Sequence, residues 1–238
     1  MIDRLTPTQR PAATPRGYQS WRDLLFLHWP VPLDILRARV PSSLELDLYQ
    51  GVGYVGLVPF AMRGVRPAWW PRWCGQSFLE TNVRTYVVHE GRPGVYFLSL
   101  EAASGPAVWA ARRFWGLPYF WADMHMTRTG DEVSYGSQRR RGSARLAVRY
   151  RIGKPLGESA PDSREFFFLE RYLLFVERRS RLYVGQVHHR PYPAQSAQVL
   201  EISDELIQAA GLGAVTGPPA LVHYSPGVDV EVFALRRA

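Results

Sequence analysis

The clearest pattern in the chain is a strict alternation of side chains between positions 78 and 88. One row is mostly apolar and the other mostly polar, the first comprising Leu79, Thr81, Val83, Thr85 and Val87 and the second Glu80, Asn82, Arg84 and Tyr86. Because successive side chains of a strand point to opposite faces, this pattern predicts a β-strand. The polar row has two interpretations. It is either a solvent-exposed face, on which Glu80 and Arg84 form a structural ion pair, or the lining of an internal pocket.

Most of the remaining chain also has the pattern of strands. Further strands are predicted over residues 24–29, 51–62, 95–102, 119–127, 132–140, 145–152, 173–177, 182–188, 198–202 and 228–235. Short helices are predicted between these strands, one beginning at Asp162 with Glu165 in a capping box and one over 204–210 after Ser203. The predicted fold class is therefore α+β and β-rich, an antiparallel β-barrel or sandwich with about three short helices.

A second informative stretch, residues 94–126, has the pattern of a strand, a short helix, a tight turn and another strand. Ser104 is expected to cap the helix at its N-terminus, and Gly116 fits the left-handed position after its last turn. Pro118 prevents the helix from continuing. Tyr119 then begins the next strand, so this turn is expected to hold its side chain in a fixed position.

Composition favours one folded domain without nucleic-acid or metal chemistry. The 238 residues are 46% hydrophobic, so we expect a single domain over residues 20–238 after a flexible N-terminal segment, residues 1–19. The net charge is +8, but Lys154 is the only lysine, which indicates a codon bias towards arginine rather than a phosphate-binding surface. The six histidines are dispersed and Cys74 is the only cysteine, so no metal site and no cofactor are expected.

The sequence also predicts where the protein is found. The first residues contain no apolar segment typical of a signal peptide, and no apolar run approaches the length of a membrane span. The simplest expectation is a soluble, cytoplasmic protein with a small-molecule ligand and no membrane or nucleic-acid partner.

Six segments in order make the chain similar to the YqjF-like family of uncharacterised proteins. The segments are FLHWPVPLDILRARVPSSLELD, GLVPFAMRGVRP, FLETNVRTYV, GRPGVYFLSLEAAS, LYVGQVHHRPYP and VHYSPGVDVEVF. The resemblance that they carry covers nearly all of the chain, from about Trp21 to Leu235. That family is similar in turn to the acetoacetate decarboxylases, so the resemblance implies their β-barrel with an active site reached from one end.

The likeness to the decarboxylases is carried by the stretch around the turn. Arg112, Phe114, Trp115, Gly116, Leu117 and Pro118 match their R-x-[IF]-W-G-[FYL]-P motif, and Glu80 matches a strand position where those enzymes carry an active-site glutamate. The motif is followed there by two lysines, of which the first forms an imine, whereas this chain has Tyr119 and Phe120. A phenol with a pKa near ~10 cannot replace a primary amine. Lys154 is expected in a solvated turn, so imine chemistry is not expected.

Three functional hypotheses remain open. The first is a pocket for an oxo acid or a cyclic oxygenated molecule, with Glu80 and Tyr119 at its centre. Its ligand-binding residues would be Arg84, Phe120, Trp121, His28 and Glu101. The second is an imine-independent lyase, hydratase or isomerase, with Glu80 as general base and Tyr119 as hydrogen-bond donor. The third is an interaction module in which the tryptophans of the loop 65–76 form an interface, including one between copies of the chain, rather than a lid.

Overall fold

The computed structural model describes all 238 residues and is dominated by β-strands. The strands are β1 (Gly17–Val31), β2 (Glu45–Leu46), β3 (Gly53–Pro67), β4 (Gln76–His89), β5 (Arg92–Ala102), β6 (Tyr119–Thr129), β7 (Glu132–Arg139), β8 (Arg145–Gly157), β9 (Leu173–Arg178), β10 (Arg181–His188), β11 (Ala194–Asp204), β12 (Leu221–Val232) and β13 (Arg236–Arg237). The α-helices are α1 (Leu33–Arg37), α2 (Gly105–Ala110) and α3 (Arg164–Leu169). Short 3₁₀ turns occupy Thr6–Thr8 and Arg72–Cys74, and π-helical turns occupy Ala111–Trp115 and Gln208–Leu212.

The strands are hydrogen-bonded into one sheet, and their pairings form two closed circuits. One circuit of pairings runs through β1, β3, β4, β5, β6, β7, β8, β11 and β12. The other shares β12, β1, β3, β4 and β5 and is completed by β9 and β10. All pairs are antiparallel except those of β5 with β6 and with β9. The β5–β6 pair is parallel because α2 carries the chain back before β6 begins.

The two circuits enclose different interiors. The first surrounds the larger hydrophobic core, to which Leu57, Val83 and Val148 belong. The second surrounds a cavity of about 660 Å³. Strand β4 is shared, and its alternation separates the two interiors: Val83 lies in the packed core, whereas Glu80 and Arg84 line the cavity.

The polar row of β4 is therefore internal. Glu80, Asn82, Arg84 and Tyr86 are all buried, so the interpretation of this row as a solvent-exposed face is wrong. Glu80 and Arg84 form no ion pair either, since Glu80 bonds to Tyr119 and Arg84 to a backbone carbonyl. The alternation predicted the strand, but the closure of the sheet decided which of its faces contact water.

The helix ends agree with the sequence patterns at α2 and differ elsewhere. The hydroxyl of Ser104 accepts a hydrogen bond from the amide of Ala107 at 3.3 Å, and Gly116 is left-handed with φ of 68°. Helix α3 is capped by Ser163 rather than by Asp162, because the Ser163 hydroxyl reaches the third amide of the helix. The predicted cap Ser203 lies within β11, and the next residue, Asp204 at the end of that strand, acts as the cap, because its carboxylate accepts hydrogen bonds from the amides of Leu206 and Ile207.

The N-terminal segment makes several contacts with the sheet. Arg4 donates two hydrogen bonds of 2.7 Å to Asp47, and Arg10 donates to Glu231. Strand β1 begins at Gly17, two residues before the predicted domain boundary at position 19. The flexibility of residues 1–19 stays a prediction. None of the helices combines the length and apolar character needed to cross a membrane.

Candidate functional site

The cavity inside the second circuit is mainly apolar and opens at one end. Hydrophobic residues make up 25 of the 36 that line it. Trp109 and Phe114, from α2 and the turn after it, line its outer end and are 64% and 58% exposed. Glu80 and Arg84 also line the cavity, and both are buried, so they mark its interior end. The exposed rim is not only aromatic, because Arg16 and Gln76 are exposed and line the cavity too. The cavity therefore runs from a rim with exposed aromatic side chains to a polar interior end.

Glu80 and Tyr119 meet in this cavity because of the strand register. Tyr119 pairs with Leu100 of β5, and Leu100 in turn pairs with Asn82 of β4, which places the first residue after the turn beside the polar row. The hydroxyl of Tyr119 donates a hydrogen bond to Oε2 of Glu80 at 2.8 Å. Arg112 ties the helical segment to the start of β6, because its Nε donates a hydrogen bond to the carbonyl oxygen of Tyr119 at 2.5 Å.

Burial changes the proton affinity of both groups. Loss of hydration raises the pKa of Glu80 to about 8. The hydrogen bond from Tyr119 lowers this pKa in part, and the negative charge of Glu101 raises it further. Burial, together with the charge of Glu80, also raises the pKa of Tyr119 well above its usual value. At neutral pH Glu80 is therefore mostly protonated, and Tyr119 acts as a hydrogen-bond donor that keeps its proton.

Arg84 brings a buried cation to the cavity without a counter-charge. Arg84 is only 8% exposed, and no carboxylate forms an ion pair with its guanidinium. Nη2 donates to the carbonyl oxygen of Phe168 at 3.0 Å, and Nε has no partner. The other arginine at the buried end, Arg171, is paired with Asp47 at 2.6 Å. Oδ1 of Asn82, between Glu80 and Arg84 on β4, also lacks a partner.

His28 does not line the cavity, although the sequence predicted it as a ligand contact. Its Nε2 lies 2.6 Å from the hydroxyl of Tyr86, which donates to the carbonyl oxygen of Phe168 at 3.2 Å. The same carbonyl accepts from Arg84, so His28 contacts the site only through this chain of bonds. Burial, followed by the charge of Arg84, lowers the pKa of His28 well below its usual value. His28 is therefore neutral.

Glu101, Phe120 and Trp121 are also separated from the cavity. Glu101 pairs with Phe120 one position along from Tyr119, so both side chains point to the opposite face of the sheet. There, Oε1 of Glu101 accepts two hydrogen bonds from Arg139 at 2.6 and 3.0 Å. The Arg139 guanidinium lies 3.7 Å from the centre of the Phe120 ring, and Trp121 is exposed. The predicted set thus divides into three residues at the cavity and four outside its lining.

The structure adds lining residues that the sequence analysis did not select. Asn82 could have been found, since it belongs to the same polar row as Glu80 and Arg84. Arg171 and Tyr192 come from distant segments, and no local pattern identifies them. Of the tryptophans in the predicted loop, Trp70 lines the cavity, whereas Trp69 and Trp73 are exposed. The lid and the interface interpretations of that loop both stay open.

Lys154 lies outside the cavity. It is exposed on β8, which continues to Gly157, so the predicted turn around it is part of a strand. The two positions that follow the helix and its turn are Tyr119 and Phe120. No group of three or more His, Cys, Asp and Glu side chains is placed to hold a metal ion.

Comparison with known sequences identifies one family. A family model described as "Uncharacterized conserved protein (COG2071)", DUF2071, matches residues 18–229. The uncharacterized protein YqjF of Bacillus subtilis (strain 168) is 40% identical over 222 residues, which are 92% of this chain and 91% of YqjF. The matched range includes the segments that carry Glu80, Asn82, Arg84 and Tyr119.

Solved structures of low sequence identity share the fold. The enduracididine biosynthesis enzyme MppR complexed with pyruvate has a TM-score of 0.64 at 15% identity, over 96% of this chain and 93% of MppR. An acetoacetate decarboxylase-like enzyme from Sphingomonas wittichii RW1 has a TM-score of 0.64 at 16% identity, over 100% and 99% of the two chains. The acetoacetate decarboxylase of Legionella pneumophila has 0.62 at 12% identity, over 98% and 94%. The fold is acetoacetate decarboxylase-like.

Proposed function

We propose that this chain, which belongs to the DUF2071 family of uncharacterised conserved proteins, binds a small oxygenated molecule in its cavity. The ligand is an oxo acid or a related compound whose carboxylate or carbonyl oxygen contacts Arg84. The single observation that carries this proposal is the buried Arg84 guanidinium, which faces the cavity without a counter-charge. The two circuits of strand pairings support the β-barrel architecture that the sequence predicts around this site.

A buried cation of this kind favours an anionic ligand. Removing a guanidinium from water costs free energy, and neutral surroundings do not compensate for this cost. Buried charges are therefore usually paired with an opposite charge. Here Nε of Arg84 is unpaired, and Oδ1 of Asn82 on the same face is unpaired as well. A ligand that accepts a hydrogen bond from Arg84 and donates one to Asn82 would satisfy both atoms.

Glu80 and Tyr119 supply a second recognition element. Tyr119 donates to Oε2 of Glu80, which leaves Oε1 free to carry the proton that the raised pKa retains at neutral pH. A protonated carboxyl in an apolar cavity is a hydrogen-bond donor for a carbonyl oxygen. Arg84 and Glu80 would therefore contact two oxygen atoms of one ligand, as an oxo acid provides.

One structural neighbour supports this class of ligand, and the residues that follow the turn argue against imine chemistry. The structural neighbour MppR is described in complex with pyruvate, which is an oxo acid. An imine requires a primary amine, and the positions after the turn hold a phenol and a phenyl ring in Tyr119 and Phe120. Lys154 is exposed and is not part of the cavity lining. We therefore propose that the ligand is held by hydrogen bonds and charge alone.

The proposal is tested by isothermal titration calorimetry with pyruvate, acetoacetate and benzoate, each compared with its methyl ester. We expect the acids to bind and the esters to bind at least about tenfold more weakly, because hydrogen bonds to charged groups contribute about 1.5–3 kcal/mol. Arg84→Gln should remove the preference for the acid. Since Arg84 has no counter-charge, this variant should melt at or above the temperature of the unmodified protein.

The control is Arg145→Gln, which removes an exposed arginine outside the cavity and should leave binding unchanged. The proposal fails if no acid binds the unmodified protein, or if Arg84→Gln and Arg145→Gln bind the acids equally well. Borohydride reduction in the presence of acetoacetate should give no covalent adduct at Lys154, and an adduct there would contradict the non-covalent mode.

The contact between Glu80 and Tyr119 supports a second candidate, an imine-independent lyase, hydratase or isomerase. With its pKa raised to about 8, Glu80 can donate a proton at neutral pH and accept one at higher pH, which is the range that proton-transfer catalysts need. The general-base role predicted for it thus applies above about pH 8. Tyr119 would stay protonated as hydrogen-bond donor.

This candidate is tested by proton NMR of pyruvate in deuterated buffer at several pH values. Exchange at the carbon next to the carbonyl should be accelerated by the protein, and the rate should rise through about pH 8 as Glu80 ionises. Glu80→Gln should abolish the acceleration. A rate equal to that of buffer alone at every pH would exclude this reaction and leave the binding function.

A further inference from the structure

We propose that the ligand of this site is an amphipathic monocarboxylic acid with an extended or aromatic apolar body. Its carboxylate contacts Arg84 at the buried end, and its body fills the cavity towards Trp109 and Phe114 at the mouth. This inference rests on the proposed function and narrows its ligand class.

The first argument is volume. The cavity measures about 660 Å³, within the range of clefts that bury most of a drug-sized molecule. A three-carbon oxo acid would occupy only its polar end. The remaining space would be filled by water in contact with hydrophobic side chains, and each of these side chains gains stability when apolar atoms replace the water.

The second argument is the separation of polar and apolar groups along the cavity. Glu80, Asn82 and Arg84 follow one another on one face of β4, and this strand contributes the unpaired Oδ1 of Asn82 and Nε of Arg84. Nη2 of Arg171 is also unpaired at the buried end. Most of the remaining lining is apolar and includes Leu24, Val58, Phe60, Phe78, Leu100 and Trp115. This arrangement matches a molecule with one polar head and an apolar body.

The third argument is the number of unpaired charges. Arg171 also lines the buried end, but Asp47 neutralises it at 2.6 Å, and Asp47 accepts from Arg4 as well. Arg84 is left as the cation without a carboxylate partner at that end. Two further arginines line the cavity without a carboxylate partner, but they are exposed or half-buried rather than at the buried end: Arg16 and Arg66. One free cation at the buried end selects one carboxylate there, and a second carboxylate against the apolar walls would lose its hydration without compensation. The ligand class is therefore monocarboxylic rather than dicarboxylic.

The fourth argument is the mouth. Trp109 and Phe114 make an edge-to-face contact with ring centres 5.8 Å apart, and both are exposed although both line the cavity. Trp70 approaches from the loop after β3 and lines the cavity as well. Exposed aromatic side chains at the entrance of an apolar cavity provide a surface over which the body of a larger ligand can pack.

The test is calorimetric titration of the unmodified protein with butanoate, octanoate and dodecanoate, below the concentrations at which these acids aggregate, and with pyruvate and octanol. Affinity should rise about fourfold for each added methylene until the cavity is filled, which follows from the transfer free energy of a methylene group. Octanoate should bind more tightly than pyruvate and more tightly than octanol. In Arg84→Gln the advantage of octanoate over octanol should disappear, while octanol binding is retained.

A second variant places a large side chain inside the cavity without touching its polar end. Ala107→Trp, on the face of α2 that lines the cavity, should weaken dodecanoate at least tenfold and leave butanoate within about twofold. The control is Ala147→Trp, which adds the same side chain at an exposed position of β8 and should change neither acid.

The outcomes separate the two proposals. If pyruvate binds as tightly as octanoate, with both dependent on Arg84, the amphipathic ligand is wrong and the oxo-acid pocket stands. If no acid of any length binds, both proposals are wrong. If long acids bind but Arg84→Gln and Ala107→Trp have no effect, the acids bind elsewhere as surfactants, and the inference is overturned.

Discussion

At the scale of single residues, the protonation of Glu80 depends on its surroundings. A glutamate on an alternating strand has an ordinary carboxylate if that face contacts water. In this fold the side chain is enclosed, and burial raises its pKa to about 8. Because the folded protein binds this proton more tightly than the unfolded chain, the contribution of Glu80 to stability is greatest at low pH. It is lost as the pH rises towards about 8.

Glu80→Gln should therefore change the pH dependence of unfolding. Glutamine keeps the acceptor for Tyr119 but has no proton to lose. The stability of the unmodified protein relative to the variant should fall by about 3 kcal/mol between pH 5.5 and 8.5, since each unit of pKa shift corresponds to about 1.4 kcal/mol. Urea unfolding of both proteins at the two pH values measures this difference.

The control for a change in net charge is Glu201→Gln, at an exposed carboxylate on β11. Its stability relative to the unmodified protein should change much less over the same interval. If the stability difference between Glu80→Gln and the unmodified protein is the same at pH 5.5 and 8.5, the raised pKa of Glu80 is contradicted.

At the scale of elements, the turn between α2 and β6 positions Tyr119. Gly116 is left-handed, and a Cβ atom there would lie 2.8 Å from two carbons of the Arg178 side chain. That side chain donates a hydrogen bond to the carbonyl oxygen of Phe114 at 2.8 Å, which links β9 to the turn. A side chain at position 116 thus requires both a strained backbone and the displacement of Arg178.

Gly116→Ala should be destabilising, and Gly130→Ala is the matched control. Gly130 is also left-handed, at the turn between β6 and β7, but nothing lies within 4 Å of its Cβ position. Both variants should lose about 1–2 kcal/mol from backbone strain. Gly116→Ala should lose about 1 kcal/mol more, because Arg178 no longer reaches Phe114. Thermal unfolding measures both losses, and equal losses would show that Arg178 moves aside without cost.

At the scale of the whole molecule, two circuits of strands share a wall but differ in how they are filled. Val83 on β4 lies in the packed core of the first circuit, and Val58 on the neighbouring β3 lines the cavity of the second. Both side chains are fully buried, so their exposure does not distinguish them. The difference is that Val83 is surrounded by packed side chains, whereas Val58 borders the cavity.

Enlarging these two valines should therefore have opposite consequences. Val83→Leu inserts a methylene into a close-packed core and should destabilise the protein by about 1–3 kcal/mol. Val58→Leu extends into the cavity and should be neutral or slightly stabilising, because it buries apolar surface without displacing neighbours. Urea unfolding of the two variants tests this. Similar destabilisation at both positions would mean that the cavity cannot accept added apolar volume.

The local patterns predicted the elements well and their surroundings poorly. The strand at β4, the cap at Ser104 and the left-handed Gly116 follow from side-chain chemistry and backbone sterics within a few residues. The placement of Glu101 and Phe120 away from the cavity follows from the register of β5 with β6, which residues far apart in the chain determine. His28 was misplaced for the same reason, since Tyr86 and Phe168 enclose it.

The sequence by itself determined which segments are strands, where the turn presents Tyr119, and to which family the chain belongs, because these depend on alternation, capping and local motifs. Only the tertiary structure decided that the polar row of β4 is internal, that Arg84 lacks a counter-charge while Arg171 has one, and that the pKa of Glu80 is raised. These properties depend on which distant groups exclude water from a side chain. Local sequence patterns do not predict which distant groups will surround a side chain.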